Sequence, residues 1–348
     1  MKSLATKWRP KVFEDVLGQE AVKVILQQQL ESGNIHSAML FCGPSGDGKT
    51  TTARIFANVL NRGQGVPIEM DAASHNGVDN VKEICKMAST KAVDAEYKIF
   101  IVDEAHMITV QGWNAFLKTI EEPPAKVVFI FCTTDPQKIP ATILSRVQRF
   151  QFQKVSTDDI VKRLLYILNE EYGPKHEYDV KVIDAISYIA KLAEGGVRLA
   201  IQYMEKCLAY NENLTVENVV TALNIADYHQ YMELTELLLC GARADMIKLL
   251  DSIYASGVDF KQFIKSYLQF ILDVNKSIIL SIPECFKYIN IPKTAEYERW
   301  LKHQNDVGAI EKYNQLLRMI VKLDADIKYS QNVKCDVEAA MLMFEVEE

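Results

Sequence analysis

Eight consecutive residues near the N-terminus have the types and the spacing of a phosphate-binding loop. They fill every fixed position of the pattern G-x-x-x-x-G-K-[ST]. Glycines let the backbone curl so that successive N–H groups point at phosphate oxygens, and a helix that begins at the end of the loop adds its positive N-terminus. We expect Lys49 to reach the β- and γ-phosphates and the Thr50 hydroxyl to bind Mg²⁺. The loop consists of Gly43, Pro44, Ser45, Gly46, Asp47, Gly48, Lys49 and Thr50.

The residues on both sides of this loop support the same interpretation. Residues 38–42 form a short apolar run typical of a strand, and the residues after Lys49 follow the pattern of an amphipathic helix. A glycine-rich loop that matches by chance would lack this context of strand, loop and helix. We therefore assign Thr51, which follows in the helix, to the nucleotide site as well.

A pair of carboxylates downstream is the second chemical signal. The apolar run 97–102 ends in Asp103 and Glu104. A run buried on both faces fits a central parallel strand, and the carboxyl edge of such a sheet holds ligand sites. We expect Asp103 to hold Mg²⁺ and Glu104 to polarise the attacking water as a general base. The acidic pair is weak evidence alone, but the intact phosphate loop upstream makes it strong.

Another buried strand, residues 126–132, also ends in polar residues. Thr134 could touch the γ-phosphate or orient a water molecule there. It could equally belong to the cap of the turn that Asp135 and Pro136 begin. The residues alone leave these two interpretations balanced.

The spacing of apolar residues also predicts the domain organisation. Strand and helix patterns alternate up to about residue 155, which indicates an α/β domain with a parallel sheet flanked by helices. Beyond an N-cap at Ser156 or Thr157 the pattern is helical, with helices predicted over about 157–172, 179–193, 196–210 and 215–226. We place the domains at 1–155, 156–228 and 229–348.

The composition limits the class of protein. The 348 residues are 49% hydrophobic and 24% charged, as in an ordinary globular protein. No apolar run approaches the roughly 20 residues of a membrane span, and no secretory signal opens the chain, so we expect a cytoplasmic protein without a membrane partner. The net charge of −7 argues against coating DNA by bulk attraction, although a local basic surface is compatible with it. Seven scattered cysteines form neither a zinc-ligand set nor a disulfide framework.

Three arginines lie outside these motifs, and the residues alone leave their roles open. Arg9, between Trp8 and Pro10, fits a surface arm better than part of an adenine pocket. Arg146 lies in a stretch whose pattern predicts only a helix, a turn and an edge strand. Arg198 sits at a helix start and could face either solvent or a site.

Taken together, these motifs resemble the AAA+ motor subunits of bacterial replicative clamp loaders, the gamma/tau family of DNA polymerase III. The resemblance is dense over the first domain, looser over 156–226 and weakest over the last block. Besides the phosphate loop, the matching strings are KWRP at 7–10, FEDVLGQ at 13–19, EMDAASHNGV at 69–78, DEAHM at 103–107, LKTIEEPP at 117–124, TTDPQKIP at 133–140 and SR at 145–146.

The resemblance implies an AAA+ P-loop domain, a helical lid domain and a C-terminal all-α collar domain, with ATP and Mg²⁺ as cofactors. It also implies roles that the spacing does not provide. Thr134 matches the γ-phosphate sensor, and Arg9 and Pro10 match the segment that lines the adenine side. Arg198 matches the lid arginine that closes over the nucleotide of its own subunit. Arg146 matches the arginine finger that reaches into the neighbouring subunit's ATP.

Two departures from the family pattern matter. The family usually inserts a four-cysteine zinc module after the phosphate-loop helix, but only residues 61–66 remain here, without a ligand. We therefore expect no zinc. The finger motif ends in Val147 rather than cysteine, and because Arg146 is intact we expect hydrolysis to persist. Since the chain ends near the end of the collar, we also expect no tail that tethers helicase and polymerase.

The function implied by the resemblance is ATP-driven opening of a sliding clamp and its loading onto primer–template DNA. Its partners would be the clamp, the DNA and other clamp-loader subunits, in a pentameric spiral with several copies of this chain. The location would be the cytoplasm of a bacterial or phage-infected cell. DNA contact would be to phosphates and independent of sequence. Lys82 and Lys86 are candidates for that contact. They are equally well explained as solvated surface lysines with no role in DNA binding.

Two other functions fit parts of the sequence. A different AAA+ remodeller, such as a branch-migration helicase or a helicase loader, would need a DNA-reading module, and the C-terminal block shows no basic recognition helix. A scaffold subunit that no longer hydrolyses ATP would keep the fold without the chemistry. The chemistry is intact in the sequence, in Lys49, Thr50, Asp103, Glu104 and Arg146.

Overall fold

The computed structural model describes residues 3–92, 94–173, 179–223, 228–280, 284–287, 289, 291, 295–305 and 308–346. Its internal contacts divide the chain into two units. Unit 1 consists of Met1–His176 and Ile189–Glu205, and unit 2 consists of Glu177–Tyr188 and Lys206–Glu348. The domain limits 1–155, 156–228 and 229–348 stay a prediction.

A parallel sheet forms the centre of unit 1. Its strands are β1 Ala38–Cys42, β2 Ile68–Asp71, β3 Lys98–Asp103, β4 Val127–Thr133 and β5 Gln148–Gln151. They have the order β2-β3-β4-β1-β5, and every neighbouring pair is parallel. In the register of β1, Leu40 lies opposite Phe131 on β4 and Arg149 on β5. This arrangement confirms the predicted α/β layout and brings the carboxyl ends of β1, β3 and β4 to one edge.

Helices pack on both faces of this sheet because successive strand residues point to opposite sides. On one face Leu40, Phe129 and Phe131 pack with helix residues such as Trp113 and Phe116. On the other face Met39, Phe41 and Ile130 pack with helix residues such as Leu26 and Phe56. The helices are α1 Leu4–Lys7, α2 Glu20–Ser32, α3 Lys49–Leu60, α4 Val78–Ala88, α5 Val110–Glu121 and α6 Ala141–Leu144.

Four helices follow the sheet, as predicted. They are α7 Thr157–Tyr172, α8 Val180–Leu192, α9 Val197–Tyr210 and α10 Val216–Leu223. Ser156 is the N-cap of α7, and its hydroxyl accepts a hydrogen bond from the Asp159 N–H at 3.1 Å. The helix predicted over 215–226 is confirmed as far as Leu223, and residues 224–227 lie outside the described part of the chain.

Unit 2 is helical wherever the structure describes it, apart from connecting turns. Aromatic rings pack between two of its helices, Tyr228–Cys240 and Phe260–Ile279: Tyr231 and Phe270 lie 5.5 Å apart between ring centroids, and Tyr231 and Tyr267 lie 5.7 Å apart. The buried Thr235 hydroxyl donates to the Tyr231 carbonyl at 2.6 Å and lies 3.0 Å from the Tyr267 hydroxyl. These contacts agree with the predicted C-terminal all-α block. Its helices are α11 Tyr228–Cys240, α12 Arg243–Ala255, α13 Phe260–Ile279, α14 Ala295–His303, α15 Ala309–Ile327 and α16 Val333–Leu342.

None of the helices in the described ranges has the length and apolar character required to cross a membrane. The longest, α13, has 20 residues. It carries charged residues such as Lys261, Asp273 and Lys276 along its length.

Candidate nucleotide-binding site

A cavity of about 250 Å³ opens at the carboxyl edge of the sheet in unit 1. The loops that follow β1, β3 and β4 contribute to its wall, together with the N-terminal segment and the start of α9. The structure thus brings most of the predicted site residues to one place. Those that line the cavity are Arg9, Pro10, Ser45, Gly46, Asp47, Gly48, Lys49, Thr50, Thr51, Asp103, Glu104, Thr134 and Arg198.

The phosphate loop curls because two of its glycines have left-handed backbone angles. Gly46 has φ +81° and Gly48 has φ +98°, a region that other residues rarely adopt. Gly48 directly precedes α3, so the free N–H groups of the first helical turn are part of the loop. A side chain at Gly46 would approach Gly196 and Arg198, at 3.5 Å from the Gly196 Cα. The loop therefore has the curled backbone and the adjoining helix start that binding of an anion requires.

Lys49 is held inside the loop and is only 6% exposed. Its Nζ donates to the carbonyl oxygen of Gly43 at 2.8 Å, to that of Pro44 at 2.5 Å and to Asp47 Oδ1 at 3.0 Å. Gly43 and Pro44 are not part of the cavity wall, and in this structure their carbonyl groups bind the lysine. The ammonium group thus lies at the cavity with all three of its donors engaged.

Gly43 is required for packing rather than for backbone curvature. A Cβ atom at this position would overlap Asp47 Oδ2 and would lie 2.6 Å from the Phe152 carbonyl oxygen. The Gly43 N–H donates to the Thr133 carbonyl at 3.2 Å, and the Phe152 N–H donates to the Cys42 carbonyl at 2.7 Å. The start of the loop is therefore joined to the ends of β4 and β5.

Asp47 is a buried carboxylate within the loop, 2% exposed. Its Oδ2 atom is buried and has no hydrogen-bond partner among the described residues. Burial raises the pKa of Asp47, and the neighbouring Lys49 ammonium acts in the opposite direction. The sequence pattern tolerates any residue at position 47, so the pattern alone gave no sign of this environment.

Thr50 and Asp103 form a pair of oxygen ligands suited to Mg²⁺. The Thr50 hydroxyl donates to Asp103 Oδ2 at 2.9 Å, which joins the start of α3 to the end of β3. A hydroxyl and a carboxylate are hard oxygen donors, and Mg²⁺ in phosphate sites takes its other ligands from water and phosphate. The residues therefore fit a Mg²⁺–nucleotide complex. No group of three or more His, Cys, Asp or Glu able to hold a metal by itself occurs among the residues described.

Glu104 follows in a left-handed backbone conformation, with φ +47°. Such a conformation is uncommon for a residue with a side chain, and it occurs often at functional sites. Glu104 Oε2 lies 3.4 Å from the Thr134 hydroxyl and 3.4 Å from His106 Nδ1. The His106 ring also contacts the Thr133 hydroxyl at 3.2 Å. The proposed base and the proposed sensor are thus in contact at the cavity.

The alternative role of Thr134 as a turn cap is taken by its neighbours. Asp135 Oδ1 accepts from the Gln137 N–H at 3.2 Å and caps the short helix that begins at Pro136. The Thr133 hydroxyl accepts from the Asp135 N–H at 3.0 Å. Thr134 is therefore left to face the cavity.

The cavity wall also includes a residue that the sequence analysis missed. Trp8 lines the cavity beside Arg9 and Pro10, and Arg163, which no motif marked, lines it as well. Arg163, on α7, donates to the Trp8 carbonyl at 3.0 Å, and its guanidinium lies 5.9 Å from the Trp8 ring centroid. Because Arg163 is one of several charged residues on an amphipathic helix, no spacing rule marks it.

Arg146 does not line the cavity of its own chain. It follows α6 with a side chain that is 38% exposed, paired with Glu121 Oε1 at 2.7 Å. Its guanidinium also donates to the Thr142 carbonyl at 2.7 Å and to the Ser145 hydroxyl at 3.1 Å. Arg146 is thus the predicted catalytic residue that lies apart from the others.

Comparison with known proteins relates the chain to the bacterial replication machinery. A family model described as "DNA polymerase III, delta subunit" matches residues 66–156. DNA polymerase III subunit gamma of Buchnera aphidicola subsp. Acyrthosiphon pisum is 30% identical over 361 aligned positions, which cover 97% of each chain. DNA polymerase III subunit tau of Bacillus subtilis is 32% identical over 98% of this chain, and the tau subunit of Salmonella typhimurium is 33% identical over 76%. The matches cover 62% and 44% of those two tau subunits.

Solved structures show the fold. The RuvB Holliday junction branch migration motor of Thermotoga maritima superposes with a TM-score of 0.51 at 19% identity, over 72% of this chain and 86% of RuvB. At this identity the similarity identifies the AAA+ fold and not the activity. The predicted AAA+ architecture is therefore confirmed. With the Buchnera relative matched along almost its whole length, this chain belongs to the gamma/tau subunit family of DNA polymerase III.

Proposed function

We propose that this chain is the ATP-hydrolysing motor subunit of a clamp loader. The observation that carries the proposal is the convergence of Lys49, the Thr50–Asp103 pair and Glu104 on one cavity at the carboxyl edge of the sheet. Membership in the gamma/tau family supports a role in a DNA polymerase III clamp-loader complex. The site itself supports binding of a nucleoside triphosphate with Mg²⁺.

The residues of this chain would divide the chemistry among them. The loop N–H groups and Lys49 bind the phosphates, and Thr50 and Asp103 hold Mg²⁺, which when bound neutralises phosphate charge. Glu104 accepts a proton from the attacking water. Thr134, in contact with the Glu104 carboxylate, orients that water or contacts the γ-phosphate. Arg198, at the cavity wall, closes over the nucleotide.

Arg146 would act on the nucleotide of an adjoining subunit. Its guanidinium is partly exposed and does not line its own cavity, which suits a group that must reach another chain. An arginine that meets the transferring phosphoryl group stabilises the charge that develops there. Hydrolysis would then require neighbouring copies, as in a spiral of AAA+ subunits.

The proposed partners are a sliding clamp and primer–template DNA, contacted through its phosphates. Lys82 on α4 has an exposed side chain, 3.7 Å from Asp79, and with Lys86 it remains a candidate for that contact.

A branch-migration motor is a second AAA+ function, but the similarity to RuvB concerns the fold alone. A non-hydrolysing scaffold would have no use for the Thr50–Asp103 pair beside Lys49.

The direct test is the ATPase rate of the purified chain, assembled with its partner subunits. The rate of this assembly is measured without further ligands, with the sliding clamp of the same replication system, with primed DNA, and with both. We expect the largest rate with both ligands and no rate in Lys49→Ala. A rate indifferent to clamp and to DNA would remove the clamp-loader proposal, and strand displacement at a junction would favour the branch-migration alternative.

A further inference from the structure

Asp47 places a negative charge inside a loop that is built to bind anions. Its carboxylate is 2% exposed, and Oδ1 lies 3.0 Å from the Lys49 ammonium. Oδ2 is buried without a hydrogen-bond partner among the described residues. A buried carboxylate with an unpartnered oxygen is costly. Its presence at this position therefore calls for an explanation beyond stability.

The position of the carboxylate affects both parts of phosphate binding. First, it neutralises Lys49, so the ammonium group that would bind the phosphates is already engaged by Asp47 and by the carbonyl oxygens of Gly43 and Pro44. Second, its own charge lies beside the phosphate cradle, where low polarity strengthens repulsion between like charges. Both effects oppose the binding of a polyphosphate, and both depend on the charge rather than on the shape of residue 47.

We propose that Asp47 is a positioning residue that competes with nucleotide phosphates for Lys49 and thereby weakens nucleotide binding and speeds nucleotide release. The inference rests on the proposed function, since it concerns the same phosphate loop. The ligand class is nucleoside di- and triphosphates. In a motor that must exchange ADP for ATP on each cycle, a built-in counter-ion for the lysine shortens the time for which product stays bound.

The test compares the wild-type chain with Asp47→Asn, which keeps the shape and removes the charge. Affinities and dissociation rates are measured with fluorescent ADP and with a fluorescent non-hydrolysable ATP analogue, in the presence of Mg²⁺. We expect Asp47→Asn to bind both nucleotides about tenfold more tightly and to release them correspondingly more slowly, because a unit charge near the phosphates is gone. A residue with a merely structural role would weaken binding when replaced, so the sign of the change is decisive.

The matched control is Asp245→Asn, which removes a carboxylate paired with a lysine, Lys248, at 2.8 Å on an exposed helix surface of unit 2. It should bind nucleotide as the wild type does. If Asp47→Asn does not fold, as judged by circular dichroism, Asp47→Ser supplies the same loss of charge in a smaller side chain. Equal or weaker binding by a folded, uncharged variant would overturn the inference while the wild type still binds. Absence of binding by the wild type itself would remove the proposed function as well.

Discussion

Two cationic side chains, each held by a carboxylate, lie in very different surroundings. Lys49 is 6% exposed and pairs with an aspartate that is 2% exposed. The Arg146 side chain is 38% exposed and pairs with a Glu121 side chain that is 46% exposed. The first pair belongs to the cavity of unit 1, and the second lies apart from that cavity. The same chemistry, a cation beside a carboxylate, is therefore buried in the first pair and exposed in the second.

This difference indicates how the work is divided. In the interior, each charge depends on its partner because neither has water to replace it. At the surface, an exposed ion pair contributes only about 0–1 kcal/mol and is readily exchanged for another. A buried lysine suits a ligand that enters its own cavity. An exposed arginine with a weakly held partner suits a phosphate that arrives with another subunit.

The largest expected effect comes from removing the exposed cation. Arg146→Ala should lower clamp- and DNA-stimulated hydrolysis by roughly a thousandfold, the size expected for an arginine finger, and should leave nucleotide affinity unchanged. Affinity is measured by titration with fluorescent nucleotide and hydrolysis by phosphate release. A mixture of Arg146→Ala and Lys49→Ala chains should regain part of the activity, because each supplies what the other lacks. If the mixture stayed inactive, Arg146 would not act between chains.

Removing the buried cation should change binding instead. Lys49→Ala should weaken nucleotide affinity by roughly a hundredfold or more, because a charge-assisted contact to the phosphates is lost and Asp47 is left unpaired. The same fluorescent titration measures this, with Arg146→Ala as the variant that retains affinity. Nucleotide binding by Lys49→Ala with the affinity of the wild type would contradict the assignment of this cavity.

A smaller effect should follow from Glu121→Gln. The guanidinium of Arg146 keeps its hydrogen bond to the Thr142 carbonyl, so stimulated hydrolysis should fall by about fivefold or less, the range expected for an exposed ion pair. Glu122→Gln, a change at the exposed neighbouring residue, is the control. A loss as large as that of Arg146→Ala would mean that Glu121 itself takes part in the chemistry.

The smallest effect distinguishes the buried pair by its dependence on pH. Because burial raises the pKa of Asp47 above its ordinary 3.8, the folded state binds this proton more tightly than the unfolded chain. The free energy of unfolding should therefore fall as pH rises from about 4 through the raised pKa. Asp47→Asn should lack this part of the slope in a series of thermal melts. Glu121→Gln, which keeps Asp47, should retain the wild-type slope. If the free energy of unfolding had the same pH dependence in all three proteins, the pKa of Asp47 would not be raised by burial.

Local patterns were enough to predict most of the fold and the central part of the site. The strand–loop–helix context located Lys49 and Thr50, and the buried run before Asp103 located the carboxylates, because these features depend on near neighbours in sequence. Helix limits such as 157–172 were predicted correctly for the same reason. The roles assigned to these residues remain to be tested by the substitutions above.

Features that depend on distant segments were not predictable from spacing. Asp47 occupies a position that the loop pattern leaves free, and no spacing rule marks its burial beside Lys49. Arg163 reaches the cavity from α7, far along the chain from the phosphate loop. The surroundings of Arg146 depend on Glu121, on a different helix. Only the resemblance to a known family drew attention to that arginine.

The crowding around Gly43 has a consequence for how this loop can evolve. Shortening residue 47 would relieve one obstacle to a side chain at 43, but the Phe152 carbonyl at 2.6 Å belongs to the backbone and would remain. A smaller residue at 47 is therefore not enough to allow a side chain at 43. On the proposal that Asp47 competes with nucleotide phosphates, a substitution at 47 changes nucleotide release while position 43 stays glycine.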